Sequence, residues 1–301
     1  MTGTQSAAEA LQGRVIAVLN TSSGSFDASS ADQTRAIFEG AGLPHAEVVC
    51  ADPAGLDAAL AQAIAEADVV VVLGGDGTIR TAAEKCGASG RFVVPLPGGT
   101  MNMLPRALYG QRDWREALTD TLADPAIHDV SGGRAGEHAF FVAAMLGAPT
   151  LWADAREAIR AGHFGEAIRR AGTAARRSFS EPLQYQFGDS LRGTAEAVAV
   201  VCPLISKVMN EAERSLEAAA LDPASAGDAV RLGIHALFDD WRDDPKVSRA
   251  KVKKIAVTGH GFVPTILDGE RVRMDRRVVI DFIPVAFRAL VPADKPVETS
   301  V

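Results

Sequence analysis

A glycine-rich segment that carries one carboxylate directly follows an apolar run. Residues 69–73 read Val-Val-Val-Val-Leu and residues 74–78 read Gly-Gly-Asp-Gly-Thr. The apolar run is typical of a buried strand in a parallel sheet, and the residues after 78 are compatible with a helix. Glycines let the backbone approach a ligand closely, and free N–H groups at the start of a helix favour anions such as phosphate. The segment therefore predicts a phosphate-binding loop.

Asp76 is the unusual residue of this loop. A carboxylate repels bound phosphates unless a metal ion lies between them, or unless the carboxylate serves as a base. Both situations occur in phosphoryl transfer, where a metal neutralises charge and a protein group positions the attacking hydroxyl. Asp76 therefore favours phosphoryl transfer over simple phosphate binding.

A second glycine loop follows the next predicted strand, residues 91–96. It reads Pro-Gly-Gly-Thr over residues 97–100. Ligands of parallel α/β sheets bind outside the carboxyl ends of the strands, so both loops are predicted to face one cleft. A single glycine loop is a tight turn about as readily as a binding site. Two such loops, one of them with an aspartate, favour the site.

The pattern of predicted elements divides the chain in two. Strands and helices alternate over residues 13–125, which predicts a doubly wound, mainly parallel α/β lobe that binds a nucleotide. Strands dominate residues 126–290, which predicts a β-rich, sandwich-like lobe with some helices. Residues 1–12 and 291–301 are predicted to be tails, and residues 210–228 a surface loop or short helix.

Composition excludes several classes of protein. The formal net charge of -7 over 301 residues argues against a nucleic-acid partner, which usually needs a basic face. Three scattered cysteines indicate reduced thiols rather than a disulfide framework or a zinc site. The sequence shows no secretory signal and no apolar run of about 18 residues. We therefore expect a cytoplasmic protein whose contact with a membrane, if it has one, is peripheral at the inner face.

Four elements, in this order along the chain, resemble the diacylglycerol kinase catalytic-domain family, which includes sphingosine kinases and bacterial lipid kinases. They are Asn20 with Ser23-Gly24, the loop 74–78, the segment 97–102 (Pro-Gly-Gly-Thr-Met-Asn) and residues 268–270 (Asp-Gly-Glu). The loop 74–78 alone also resembles NAD kinases and phosphofructokinases. The late acidic motif after a β-rich half favours the lipid kinases.

The resemblance implies a kinase with ATP bound on the glycine loops, in a cleft between two lobes, and with a lipid hydroxyl entering from the second lobe. The lipid would be of the diacylglycerol or sphingoid type. It implies Asp76 and Glu270 as catalytic residues, with Asp76 as general base or as part of a metal-linked acid network. Asp268 and Glu270 would hold Mg²⁺. The residues implied to bind ATP are Asn20, Ser23, Gly24, Gly74, Gly75, Gly77, Thr78, Gly98, Gly99, Thr100 and Asn102.

Several positions depart from the family pattern. Thr21 stands where a proline is usual, Arg80 and Thr81 stand where Asn-Glu is common, and Met103 stands where an aspartate is usual. One acid of the usual network is therefore missing. Two alternatives stay open: a soluble-substrate kinase of the same superfamily, such as an NAD kinase, and a non-catalytic nucleotide- or lipid-binding member. Whether the protein is a homodimer is also open.

An arginine-rich segment lies between the two groups of motifs. Residues 156–177 hold six arginines. They are either a basic face that meets an anionic bilayer or an ordinary charged helix face.

Overall fold

The computed structural model divides the chain into two compact units. The first unit comprises Met1–Ser131 and Val285–Val301, and the second comprises Gly132–Pro284. The chain therefore returns to the first unit for the end of its last strand. The division predicted from the sequence, into 13–125 and 126–290, does not contain this return. The residues that the structure describes are 6–147, 182–206, 208–209, 213–221 and 247–294. No helix in these ranges is both long enough and apolar enough to span a bilayer.

The first unit is an α/β structure in which helices and strands alternate as predicted. Its elements are α1 (Ala7–Leu11), β1 (Val15–Asn20), α2 (Ser30–Gly40), β2 (Glu47–Ala51), α3 (Leu56–Glu66), β3 (Val69–Gly74), α4 (Asp76–Ser89), β4 (Phe92–Pro97), α5 (Met103–Tyr109) and α6 (Trp114–Ala123). The strands lie in the order β2-β1-β3-β4 and are parallel. β3 and β4 are buried from end to end, as expected of parallel strands covered on both faces.

Both predicted tails contain ordered structure. Ser6 and Glu9 form a capping box at the start of α1, in which each side chain accepts a hydrogen bond from the backbone of the other. Ala10 and Leu11 are buried, so apolar contacts hold this helix. At the other end, the Ala293 N–H donates to the Asp124 carbonyl oxygen over 2.8 Å.

The remaining elements that the structure describes are strands. They are β5 (Pro125–Ala135), β6 (His138–Phe140), β7 (Ala143–Gly147), β8 (Leu183–Phe187), β9 (Leu191–Ala195), β10 (Ala197–Val201), β11 (Leu216–Leu221), β12 (Val247–Val252), β13 (Lys254–Thr258), β14 (Val263–Leu267), β15 (Glu270–Met274) and β16 (Arg277–Pro292). The arginine-rich segment 156–177 lies outside the described residues.

The second unit is an antiparallel sandwich, which confirms the predicted fold class. One sheet has the strand order β12-β11-β10-β7-β14-β15. In the other layer, β13 pairs antiparallel with β8 and with residues 277–281 of β16, and β9 pairs with β8. Side chains from both layers, such as Val198 and Phe187, share one buried cluster.

The segment around residue 218 is a buried strand and not the surface loop or helix that we predicted. All six residues of β11 are buried, and the strand pairs with a neighbour on each side. Leu216 and Ala218 face the cluster between the sheets, while Ala219 and Leu221 belong to a second cluster. Alanine and leucine favour helices intrinsically, and burial between strands overrides that preference here.

A core truncation tests the burial of β11. We expect Leu216→Ala to lower the free energy of unfolding by about 2–5 kcal/mol, because it removes a fully buried side chain. Val208→Ala is the matched control, since Val208 lies in the same unit but is 42% exposed. Its effect is expected to stay within about 0.5 kcal/mol. Urea unfolding measures both, and equal effects would contradict the buried strand.

The three cysteines differ in accessibility, and this predicts their reactivity. Cys50 is exposed, whereas Cys86 and Cys202 are buried. Burial raises the pKa of the Cys86 thiol to about 12 and that of Cys202 well above its usual range. Because the thiolate is the reactive form, a thiol reagent at pH 8 is expected to label Cys50 rapidly and the other two only after unfolding. Rapid native labelling of Cys50→Ser protein would show that this assignment is wrong.

Candidate functional site

The two glycine loops are in direct contact with each other. The Gly98 N–H donates to the Gly74 carbonyl oxygen over 3.0 Å. A Cβ atom on Gly99 would lie 2.8 Å from the Cα of Gly75, a distance that real Cβ atoms essentially never show. Glycine at position 99 is therefore what allows the two loops to lie side by side at the ends of β3 and β4.

The loop after β1 is bonded to both glycine loops. Asn20 donates from Nδ2 to Thr78 Oγ1 over 3.1 Å, and its Oδ1 accepts from the Ser22 N–H. The Ser23 hydroxyl donates to the Gly98 carbonyl oxygen. Polar side chains that the resemblance assigns to ATP therefore also hold the three loops together.

Asp76 bonds the first glycine loop to the start of α5. Its Oδ2 accepts the Asn102 N–H over 3.0 Å, and its Oδ1 accepts the Met103 N–H over 2.8 Å. Met103 is the first residue of α5. The carboxylate thus satisfies N–H groups at a helix N-terminus, where negative charge is stabilised. Each oxygen accepts one such bond, which leaves lone pairs for a further donor.

Asn102 closes the second glycine loop. Its Oδ1 accepts the Gly99 N–H over 2.7 Å, and its Nδ2 donates to the Gly99 carbonyl oxygen over 2.8 Å. Its φ is 50°, in the left-handed region that asparagine tolerates better than most residues, and only 8% of it is exposed. Both ends of the amide are engaged within the loop, whereas Thr100 and Met101 at its tip are exposed.

Helix α4 presents free backbone donors beside these loops. The helix begins at Asp76, and its N-cap is Gly75, which has no side chain to accept a bond. The first helical bond in this turn runs from the Ile79 N–H to the Gly75 carbonyl oxygen. The N–H groups of Gly77 and Thr78 precede it and have no partner within the helix. They are suited to an anion such as phosphate.

A hollow of about 400 Å³ lies beside the second glycine loop, and sequence reasoning missed its arginines. Arg112 pairs with Asp120 and Asp294 at 2.8 and 2.6 Å, and its hydrogen bond with Asp120 raises its pKa. Arg106 also lines the hollow and is exposed. Its position four residues after Asn102, one helical turn on, is the sequence signal that could have identified it.

The late acidic motif forms the hairpin turn between β14 and β15 in the second unit. Leu267 pairs with Glu270, so the turn consists of Asp268 and Gly269. Their φ values are 49° and 87°, which fits the type I′ turn that Asp-Gly favours. The Asp268 carboxylate accepts the N–H groups of residues 141–143 at 2.7, 2.9 and 2.9 Å. Glu270 is exposed.

The carboxylates fit a metal ion that arrives with a nucleotide better than a resident one. Within the described ranges, no group of three or more His, Cys, Asp or Glu side chains is placed to hold a metal. Mg²⁺ usually takes one or two carboxylates and completes its shell with phosphate oxygens and water.

The first group of motifs lies within a match to a known protein family. Residues 14–135 match the family model of the diacylglycerol kinase catalytic domain. This confirms the resemblance inferred from the glycine loops. The match includes the loops after β1, β3 and β4, together with Asp76.

Solved structures from Bacillus anthracis str. Sterne share the fold over nearly the whole chain. A candidate diacylglycerol kinase aligns with a TM-score of 0.71 and 17% identity over 96% of this chain and 99% of its own. A diacylglycerol kinase gives 0.65 and 14% over 96% and 98%. A further candidate diacylglycerol kinase gives 0.66 and 15% over 95% and 97%. Likeness at these identities shows the fold.

Replacing Asp76 with asparagine tests the bond between the first glycine loop and α5. The new amide nitrogen cannot accept, so one of the two N–H groups loses its partner. We expect Asp76→Asn to lower the free energy of unfolding by about 1–3 kcal/mol, as measured by urea unfolding.

Asp113→Asn is the matched control for this change. Asp113 caps α6 and accepts the N–H groups of Arg115 and Glu116 through a single oxygen, Oδ1. Asparagine can supply that oxygen and is as good an N-cap as aspartate. A loss for Asp76→Asn no larger than that for Asp113→Asn would argue against the bond.

Proposed function

We propose that the protein is an ATP- and Mg²⁺-dependent kinase that phosphorylates a hydroxyl group of a lipid of the diacylglycerol or sphingoid type. The observation that carries the proposal is the direct contact between the two glycine loops beside the N-terminus of α4. Asp76, in the first loop, accepts hydrogen bonds from the backbone at the end of the second. The lipid class is supported by the family match over residues 14–135. A lipid substrate would also bring the protein to the membrane surface.

In this proposal the backbone of α4 binds phosphate. The N–H groups of Gly77 and Thr78 donate to phosphate oxygens, and the helix N-terminus favours their negative charge. Arg106 is a candidate partner for a further anionic oxygen, since it is exposed beside the second loop. The glycines keep the phosphates within reach of the backbone, because a side chain at Gly99 would push the loops apart.

Asp76 would accept the proton of the substrate hydroxyl. Its two bonds to the start of α5 fix the direction of the carboxylate, while each oxygen keeps capacity for another donor. A positioned general base contributes on the order of 10²–10⁴ in rate. Bound Mg²⁺ would neutralise charge on the transferred phosphoryl group.

A kinase assay with a matched pair of glycine variants tests the proposal. Labelled ATP and Mg²⁺ are supplied with micelles of diacylglycerol or sphingosine and, separately, with NAD⁺. We expect labelled lipid, and we expect Gly99→Ala to lower kcat/KM for ATP by roughly tenfold or more, about 1.4 kcal/mol, because the loops must separate. Gly40→Ala should leave it unchanged, since no heavy atom lies within 4 Å of the added Cβ.

The other outcomes identify the alternatives. Labelling of NAD⁺ instead of lipid would identify a soluble-substrate kinase. ATP binding that Gly99→Ala weakens, without turnover of any acceptor, would identify a non-catalytic nucleotide-binding protein. Either result would contradict the proposal that the protein is a lipid kinase.

A further inference from the structure

Two crossover loops of the second unit lie side by side at one end of its β sandwich. Residues 259–262 lead from β13 in one sheet to β14 in the other, and residues 275–276 return from β15 to β16. The Gly259 N–H donates to the Arg276 carbonyl oxygen over 2.9 Å, and Arg276 Nε donates to the Gly259 carbonyl oxygen over 3.1 Å. These bonds join the loops into one surface, which we call the basic tip and define as residues 259–262 and 273–277.

Phe262 is the exposed aromatic residue of the basic tip. Its side chain is 48% exposed, whereas its neighbour Val263 is fully buried. Because side chains alternate as a strand begins, Phe262 is directed away from the core. The Arg273 guanidinium lies 5.4 Å from the centre of the Phe262 ring, within the range of a cation–π contact. Transfer of this ring from water to an apolar medium would be favourable.

The basic tip carries positive charge on an acidic protein. Arg273, Arg276 and Arg277 are exposed, and none of them forms an ion pair with a residue that the structure describes. Asp275 is the one acidic residue in the sequence of the tip, although the formal net charge of the whole chain is -7. A local excess of arginine of this kind attracts anionic surfaces.

We propose that the basic tip docks the protein onto an anionic lipid bilayer. The Phe262 ring lies at the boundary between headgroups and acyl chains, and the arginines contact lipid phosphates. A ring beside cations suits this boundary, because its apolar part leaves water while the charges stay at the headgroups. An acidic protein would match the arginines alone, whereas a bilayer matches both the charges and the ring.

This inference goes beyond the proposed function and uses residues of the second unit only. It concerns how the protein attaches to a lipid surface, and attachment needs neither nucleotide nor turnover. It can therefore be measured whether or not the protein is a kinase.

Sedimentation with vesicles tests the docking. The full chain is mixed with vesicles of phosphatidylglycerol and phosphatidylcholine, or of phosphatidylcholine alone. We expect binding to the anionic vesicles to be roughly tenfold tighter or more, since each arginine near such a surface adds to the attraction. It should weaken as NaCl is raised, because salt screens exposed charges. Equal binding to both kinds of vesicle, or binding to neither, would overturn the proposal.

Two double variants distinguish a local surface from net charge. Arg273→Gln/Arg277→Gln removes two charges of the basic tip and should weaken binding to the anionic vesicles by roughly tenfold or more. Arg192→Gln/Arg249→Gln is the matched control, because it removes the same charge from exposed positions elsewhere in the second unit. It should weaken binding by less than about twofold. Equal weakening by the two double variants would show that the tip is not the docking surface.

A fluorophore at position 262 tests the insertion. An environment-sensitive dye is attached to Phe262→Cys in the Cys50→Ser background, where the remaining native thiols, Cys86 and Cys202, are buried. Its emission should shift to the blue on anionic vesicles. The control is Val208→Cys, since Val208 is 42% exposed in the same unit, and its dye should not shift. A dye at position 262 that stays in water on bound protein would contradict the insertion.

The remaining outcomes separate this proposal from its alternative and from the kinase. Binding to poly-glutamate but not to vesicles would identify an acidic protein as the partner and overturn the bilayer. Vesicle binding through the basic tip without phosphorylation of any acceptor contradicts the kinase and supports the docking. Phosphorylation of lipid in micelles by a protein that binds no vesicles contradicts the docking alone.

Discussion

Hydrogen bonds from backbone N–H groups to aspartate carboxylates determine the shape of the loops in this protein. Asp76 accepts two N–H groups at the start of α5, and Asp268 accepts three from residues 141–143. Charge-assisted bonds of this kind are about twice as strong as neutral ones. They join loops and turns at the ends of helices and strands to distant parts of the backbone.

The glycines are the second half of this arrangement. Gly75 and Gly99 approach so closely that a Cβ on Gly99 would lie 2.8 Å from the Gly75 Cα, and Asp76, the residue after Gly75, bonds to the start of α5. The same substitution that would widen the loop contact would therefore disturb the carboxylate. The proposed phosphate-binding loops and the proposed catalytic carboxylate are therefore coupled through the backbone.

The acidic residues show what sequence motifs predict and what they do not. The motifs identified Asp76 and Asp268 as important, but not that each carboxylate is already bonded to backbone N–H groups. Those donors lie 26 and 27 residues away from Asp76 and between 125 and 127 residues away from Asp268. No local pattern encodes a partner at that distance. Arg106 was missed for a similar reason, because its neighbours in the hollow come from several loops and helices.

The sequence by itself determined the alternation of strands and helices in the first unit and the position of both glycine loops, because apolar runs and glycines are local signals. It also determined the Asp-Gly turn, whose φ values those two residues favour. Only the tertiary structure decided that β11 is a strand. Its leucines and alanines intrinsically favour a helix, and pairing with β10 and β12 holds them in an extended conformation. The tertiary structure likewise decided the partners of each carboxylate, because a hydrogen bond depends on where distant backbone groups come to lie once the chain has folded.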